Sequence, residues 1–226
     1  MFQVSGVVKH LLIINVLLFL GTMLLGDPAD KTALELINQP DSENFSSWGR
    51  LRLAMFYPTS EYFRPYQIVT HMFMHADFMH IFFNMYALFL FGPPLERLFG
   101  EQRFLIFYLL TGFGALALHL FVKYLELQYG SVPAASANIP VLGASGAVFG
   151  LLVGFGMKFP KVVLQLIFPP IALQARYFVL IYIVLELFLG LSPYSGGGVA
   201  HWAHLGGALF GFLLIKYWDR PQQGWK

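Results

Sequence analysis

Three short stretches hold residue types able to do hydrolytic chemistry: "HIFFN" at 80–84, "GASG" at 143–146 and "AHLGG" at 203–207. A serine hydroxyl is a weak nucleophile until a neighbouring base takes its proton, and an imidazole with a pKa near neutrality suits that task. Ser145 and His204 would form such a dyad, competent for acyl transfer. That chemistry also needs donors aimed at the developing oxyanion. His80 and Asn84, spaced i, i+4, can point at one spot from one helical face, and the backbone N–H of Ser145 would join them. Gly143 and the small Ala144 would let the backbone approach a substrate closely. Asp27, Asp30, Asp41 and Asp219 fall in loops or at the end of the chain, so no aspartate is placed to orient the imidazole, and helix packing would have to fix the ring.

The elements that position these groups must be membrane helices. The 226 residues are 57% hydrophobic and 12% charged, with a mean hydropathy of +0.63, far from the composition of a soluble domain. The absence of cysteine excludes disulfides, thiolate metal sites and a cysteine nucleophile. A net charge of +2 gives no argument for nucleic acid. Crossing the hydrocarbon takes roughly 20 apolar residues, and six segments qualify, near 8–26, 70–91, 104–123, 141–159, 174–191 and 199–218. No small-residue cleavage site precedes "GDPADK", so the first reads as a retained span and not as a removed signal peptide. The expected fold is a single all-α, six-helix membrane domain over 1–226.

Lysine and arginine favour the cytoplasmic side of short loops. With the N-terminus inside, the inner segments carry Lys9, Arg97, Arg103, Lys158, Lys161, Arg176, Lys216, Arg220 and Lys226, while the short outer loops 124–140 and 192–198 carry none. An N-in, C-in topology follows. The second, fourth and sixth spans then enter from the outer face and bring His80, Asn84, Ser145, His201 and His204 to one shallow depth. The connection 27–69 mixes aromatic residues with arginines and prolines, which fits an interfacial segment and an ordinary packed loop equally well.

Close approach has its own signal. Gly146, Gly150 and Gly154 recur every four residues after Ser145, and Ala203, Gly207 and Gly211 do the same around His204. Small-residue stripes let helix backbones meet in lipid, and if these two pack together Ser145 and His204 converge. Taken singly, each polar residue has a plainer structural reading. His80 and Asn84 alone would be interhelical hydrogen bonds, His119 a satisfied one, His10 a headgroup-level residue, Asp77 a helix cap, and Glu186 a structural hydrogen bond or cavity residue in preference to a proton relay.

Together, "HIFFN", "GASG" and "AHLGG", in this order on alternating helices, with "THMFMHADFMH" and "LERLFG" flanking the second, resemble the rhomboid intramembrane serine proteases over about residues 60–217. The resemblance implies Ser145 as nucleophile, His204 as base, and His80 and Asn84 at the oxyanion. It also implies cleavage of peptide bonds in or near substrate transmembrane segments, from a water-filled cavity open to the outside. Gly143, Ala144, Phe149 and His201 would line that cavity, "SPYSGGG" at 192–198 would cap it, and the fifth helix would flank substrate entry. Partners would be transmembrane substrates and the bilayer, with no nucleic acid, cofactor or metal. Two positions depart from the family pattern: Tyr66 and Gln67 stand where a Trp-Arg pair is frequent, and Phe149 stands where some bacterial members stack a tyrosine on the base. A phenyl ring can still stack but offers no hydroxyl. By analogy with the family, the compact core fits a prokaryotic plasma membrane.

Other functions fit less well. A transporter or channel would show paired broken helices or an inverted repeat, a zinc protease an HExxH motif, and an aspartate protease two mid-membrane aspartates. A rhomboid-like protein that binds membrane helices without cutting them would have lost the serine or the histidine.

Overall fold

The computed structural model describes residues 6–24, 47–130, 132–165, 170–192 and 201–220, and for Ser47, Trp48 and Arg50 it describes the backbone alone. Its elements are α1 (Val7–Leu24), α2 (Ser47–Leu53), α3 (Gln67–Thr70) running into a 3-10 turn at His71–Phe73, α4 (Phe78–Phe99), α5 (Glu101–Gln128) and a second 3-10 turn at Ala134–Asn138. These are followed by α6 (Ser145–Lys158), strands β1 (Val163–Gln165) and β2 (Ala172–Gln174), α7 (Ala175–Leu191) and α8 (His201–Trp218). The helices α1, α4 and α5 are long and apolar enough to cross a membrane, whereas α6 is apolar but has 14 residues. At about 1.5 Å per residue α6 spans roughly 21 Å, less than the hydrocarbon thickness of about 30 Å.

The surface identifies the solvent. Leu17 and Leu20 on α1, Phe82 and Phe83 on α4, Leu180, Val184 and Phe188 on α7, and Leu213 on α8 are all exposed. A belt of large apolar side chains on every side is what a helical bundle presents to lipid and what a soluble monomer avoids. The interior is packed by Leu88 and Leu95 of α4, Phe104, Phe107 and Tyr108 of α5, Leu151 of α6 and Ile215 of α8, all fully buried.

Glycine decides how α6 sits in this core. A Cβ on Gly207 would strike the carbonyl oxygen of Gly146, and one on Gly211 would come within 2.9 Å of the Gly150 backbone. On the opposite side, Cβ atoms on Gly146 and Gly150 would collide with Ala115 and Thr111 of α5. Thus α6 is pressed between α5 and α8 at backbone distance, and the two small-residue stripes do meet. Gly154, the third member of the first stripe, faces Phe107 and Leu95 instead.

Several boundaries differ from the sequence expectation. The span expected over 70–91 starts at Phe78, because Asp77 adopts an extended conformation and its carboxylate accepts a hydrogen bond from His80 N at 2.8 Å, capping the helix. The helix then continues through Pro93 and Pro94 to Gly100, where φ of +79° ends it. The span expected from 141 starts at Ser145, since Val141 is extended and bridges Met55. The described residues are mostly helical, and the extended exceptions are that bridge and the short antiparallel β1–β2 hairpin, which pairs Val163 with Gln174.

The described part of the 27–69 connection packs in part against the bundle. Ala54, Met55 and Phe56 are buried, and Gln67, fully buried, ties the loop together. Its side-chain oxygen accepts from Arg64 N at 3.0 Å, and its amide donates to Tyr62 O at 3.0 Å. Gln67 therefore has a local reason to be glutamine. The buried Glu96 accepts from the N–H groups of Val7 and Val8 at 2.5 and 3.3 Å, placing negative charge at the N-terminus of α1, where the helix dipole favours it.

Candidate active site

Ser145 opens α6, and the residues before it are held by their backbone. Gly143 takes φ of +120°, a conformation that side-chain-bearing residues rarely adopt, and its N–H donates to His71 O at 2.8 Å. The first helical bond of α6 is donated by Val148 to Ala144 O at 3.0 Å, so the N–H of Ser145 lies ahead of the helical ladder, at the positive end of the helix dipole.

His204 stands one turn into α8. Its Nε2 lies 2.9 Å from Ser145 Oγ, the distance at which an imidazole nitrogen accepts a hydroxyl proton. Packing fixes the ring from behind: Phe149 lies parallel to it, with centroids 4.3 Å apart and 5° between the planes.

The other predicted residues divide. His80 borders the same space as the serine: a methyl group built on Gly143 would lie 2.7 Å from His80 Nε2 and 3.7 Å from Ser145 Oγ, so glycine keeps that space open. His80 Nδ1 accepts from Ala76 N at 3.3 Å, leaving Nε2 as the protonated, donating nitrogen. Asn84 is buried on the same face, and one of its amide N–H groups is spent on His80 O at 2.9 Å. Ala144 is fully buried behind the serine, so it shapes the backbone and does not line an open wall. A cavity of about 10 Å³, room for one water, lies behind Ser145 between His71, Met72, Gly112 and Ala203. Of the expected cap at 192–198, only Ser192 falls within the described residues.

The partners of Glu186 were not legible in the sequence. Glu186 of α7 points into the bundle, with Oε2 2.6 Å from His201 Nδ1 and Oε1 3.1 Å from His204 Nδ1. The second contact is at ion-pair distance but off the direction that a ring N–H hydrogen bond requires. The expectation concerned aspartates alone; the acidic group behind the imidazole is a glutamate, and its bond to His201 agrees with the reading of Glu186 as a structural hydrogen bond or cavity residue. His201, expected at most in the cavity wall, is 8% exposed and bound to Glu186. One signal could have found the pair: a lone charge in the apolar run "YIVLELFLG" must meet a partner inside the bundle. Among the described residues, Glu186, His201 and His204 form the one group whose potential metal-ligating atoms all lie within 4.8 Å of one another. A carboxylate facing two ring N–H groups is also complementary without a cation.

Comparison with known proteins fits this arrangement. The rhomboid domain model matches residues 62–219, more than half of the chain. The chain belongs to the rhomboid family. This rhomboid is 33% identical to RHOMBOID-like protein 6, mitochondrial, of Arabidopsis thaliana over 162 residues, covering 71% of this chain and 46% of that protein. It is 31% identical to Rhomboid protease AarA of Providencia stuartii over 150 residues, covering 63% of this chain and 52% of that one. It is also 31% identical to the presenilin-associated rhomboid-like protein, mitochondrial, of Bos taurus over 149 residues, covering 64% of this chain and 36% of that one. The chain thus spans about half or less of these relatives' length.

Proposed function

We propose that this rhomboid is an intramembrane serine endopeptidase that cleaves transmembrane or membrane-proximal segments of other membrane proteins. What carries the reading is the 2.9 Å contact between Ser145 Oγ and His204 Nε2 in a bundle whose outer surface faces lipid. Ser145 Oγ attacks the carbonyl carbon of the scissile peptide bond while its proton passes to His204 Nε2. The oxyanion is met by the Ser145 N–H and His80 Nε2, with the second amide N–H of Asn84 in support. The imidazolium then protonates the leaving nitrogen, the C–N bond breaks, and an acyl-enzyme remains. Water, deprotonated by His204, attacks that ester and releases the acid and free Ser145.

The proposal includes six spans with both termini inside, so that α4, α6 and α8 enter from the outer face and the site opens outward. The lysine and arginine distribution supports this orientation. A prokaryotic plasma membrane is the setting we infer, supported by the Providencia relative, while the mitochondrial names of two relatives offer an organellar alternative. Those names also divide between a protease and rhomboid-like proteins, so a helix-binding protein without protease activity is the second reading.

Purified protein incubated with a single-span reporter in detergent or liposomes tests the proposal. Wild type should cleave it, and a fluorophosphonate should label Ser145. Ser145→Ala and His204→Ala should abolish cleavage while the protein still folds. Full cleavage by either variant would refute it.

A further inference from the structure

In α7 most of the helix faces lipid, and the buried residues are Ala175, Val179 and Glu186. Burying a carboxylate inside a bundle is unfavourable unless charge and hydrogen bonds compensate it. Here the compensation is specific: one oxygen of Glu186 is hydrogen-bonded to His201 Nδ1 at 2.6 Å and the other lies at ion-pair distance, 3.1 Å, from Nδ1 of His204, one turn along α8. The side chains of Glu186 and His204 are only 10% and 14% exposed.

We propose that Glu186 is a positioning residue for the base, held in place by His201. The assignment rests on the protease reading and deepens it. If His204 Nε2 is to accept the Ser145 proton, the ring must carry its own proton on Nδ1, and Nδ1 is the atom that Glu186 Oε1 faces. The carboxylate thereby selects the productive tautomer and meets the positive charge that appears on the ring when the serine is deprotonated. The present misalignment of that contact fits the role, because catalytic hydrogen bonds are often poorly aligned without substrate and tighten as charge develops. His201 Nδ1 donates to the other oxygen and fixes the carboxylate, while Phe149 holds the face of the ring. The base is therefore oriented by three elements, with the ionic contact supplied by the loosely packed α7.

The test compares wild type with Glu186→Gln, Glu186→Asp and His201→Gln, measuring kcat and KM on the reporter together with the rate of fluorophosphonate labelling at Ser145. Glu186→Gln keeps the shape and removes the charge, and should lower both kcat and the labelling rate by 10-fold or more, with KM within about twofold of wild type. Glu186→Asp should recover part of the loss, and His201→Gln should fall between Glu186→Gln and wild type. A Glu186→Gln variant with wild-type kcat and labelling rate, measured beside an active wild type, overturns the positioning role and leaves the protease reading intact. A wild type that neither labels nor cleaves overturns both. If Glu186→Gln folds poorly, a kcat for Glu186→Asp equal to that of a folded Glu186→Ala variant overturns the role on its own.

Discussion

The ring of Phe149 lies flat against that of His204, 4.3 Å between centroids and 5° from parallel. The two side chains belong to different helices, α6 and α8, whose backbones are in contact, so one face of the imidazole is set by packing. An aromatic contact of this kind is worth about 0.5–1.5 kcal/mol beyond the area that it buries, which converts to a rate effect of roughly 2–10-fold if it is used to orient the base. Phe149→Leu should lower kcat/KM by that factor, and Phe149→Tyr should stay near wild type, since stacking needs the ring and not a hydroxyl. Steady-state cleavage of the reporter by the two variants checks the pair.

The second prediction sets two glycines against each other. A Cβ at Gly207 would strike the Gly146 carbonyl, whereas a Cβ at Gly21 on α1 would meet nothing within 4 Å. Gly207→Ala must therefore force α6 and α8 apart, and overpacking of this kind costs about 1–3 kcal/mol or more. It also lengthens the contact between Ser145 and His204. The thermal midpoint in detergent should drop and cleavage should be lost. Gly21→Ala should leave activity unchanged and raise the midpoint slightly, because alanine favours a helix by about 0.5–1 kcal/mol over glycine. Equal effects at the two positions would contradict the packing argument.

The same contrast explains what could be read without coordinates. The approach of Ser145 to His204 was legible because stripes of small residues are periodic, and backbone contact between two helices follows from that period alone. The start of α4 was misplaced by the apolar tone of "THMFMHA", although Asp77 three residues before His80 has the spacing of an N-cap. Glu186 has no such spacing: its partner His201 lies 15 residues away, on the far side of an interhelical connection. Only the energetic argument about an isolated intramembrane charge points to it, and that argument names no partner.

The third prediction concerns the oxyanion. His80 Nε2 borders the space beside Ser145 that Gly143 keeps open, while Asn84 has already committed one amide hydrogen to His80 O. His80→Phe should lower kcat by about 10²–10³, as losing one oxyanion donor typically does, and Asn84→Ala should cost less. Gly143→Ala should abolish turnover altogether: its methyl group would occupy the space between His80 and the serine, and its φ of +120° would be strained by about 1–3 kcal/mol. Single-turnover rates would separate these effects from weakened binding. A larger loss for Asn84→Ala than for His80→Phe would reverse the assigned order.

The last prediction concerns acid. His75 lies in the loop ahead of α4 and is fully buried. Its ring sits edge-on to that of His80, with centroids 5.1 Å apart. Neither of its ring nitrogens makes a hydrogen bond of good geometry. Burial, helped by the neighbouring His80 and opposed only by the Phe73 backbone, pushes its pKa down from 6.5 to about 3. In the window between those values the unfolded chain takes up a proton that the folded chain refuses, so the folded state is fully favoured above pH 6.5 and loses stability as the pH falls toward 3. From pH 7 to pH 4 this one residue accounts for a loss of about 3 kcal/mol. His71, buried and lowered to about 4, adds to the loss in the same direction. Replacing His75 with phenylalanine, which cannot be protonated, should leave a protein whose thermal midpoint falls less between pH 7 and pH 4 than that of wild type. Parallel shifts in the two proteins would mean that the acid sensitivity arises elsewhere, because nothing else within reach of residue 75 changes in the exchange.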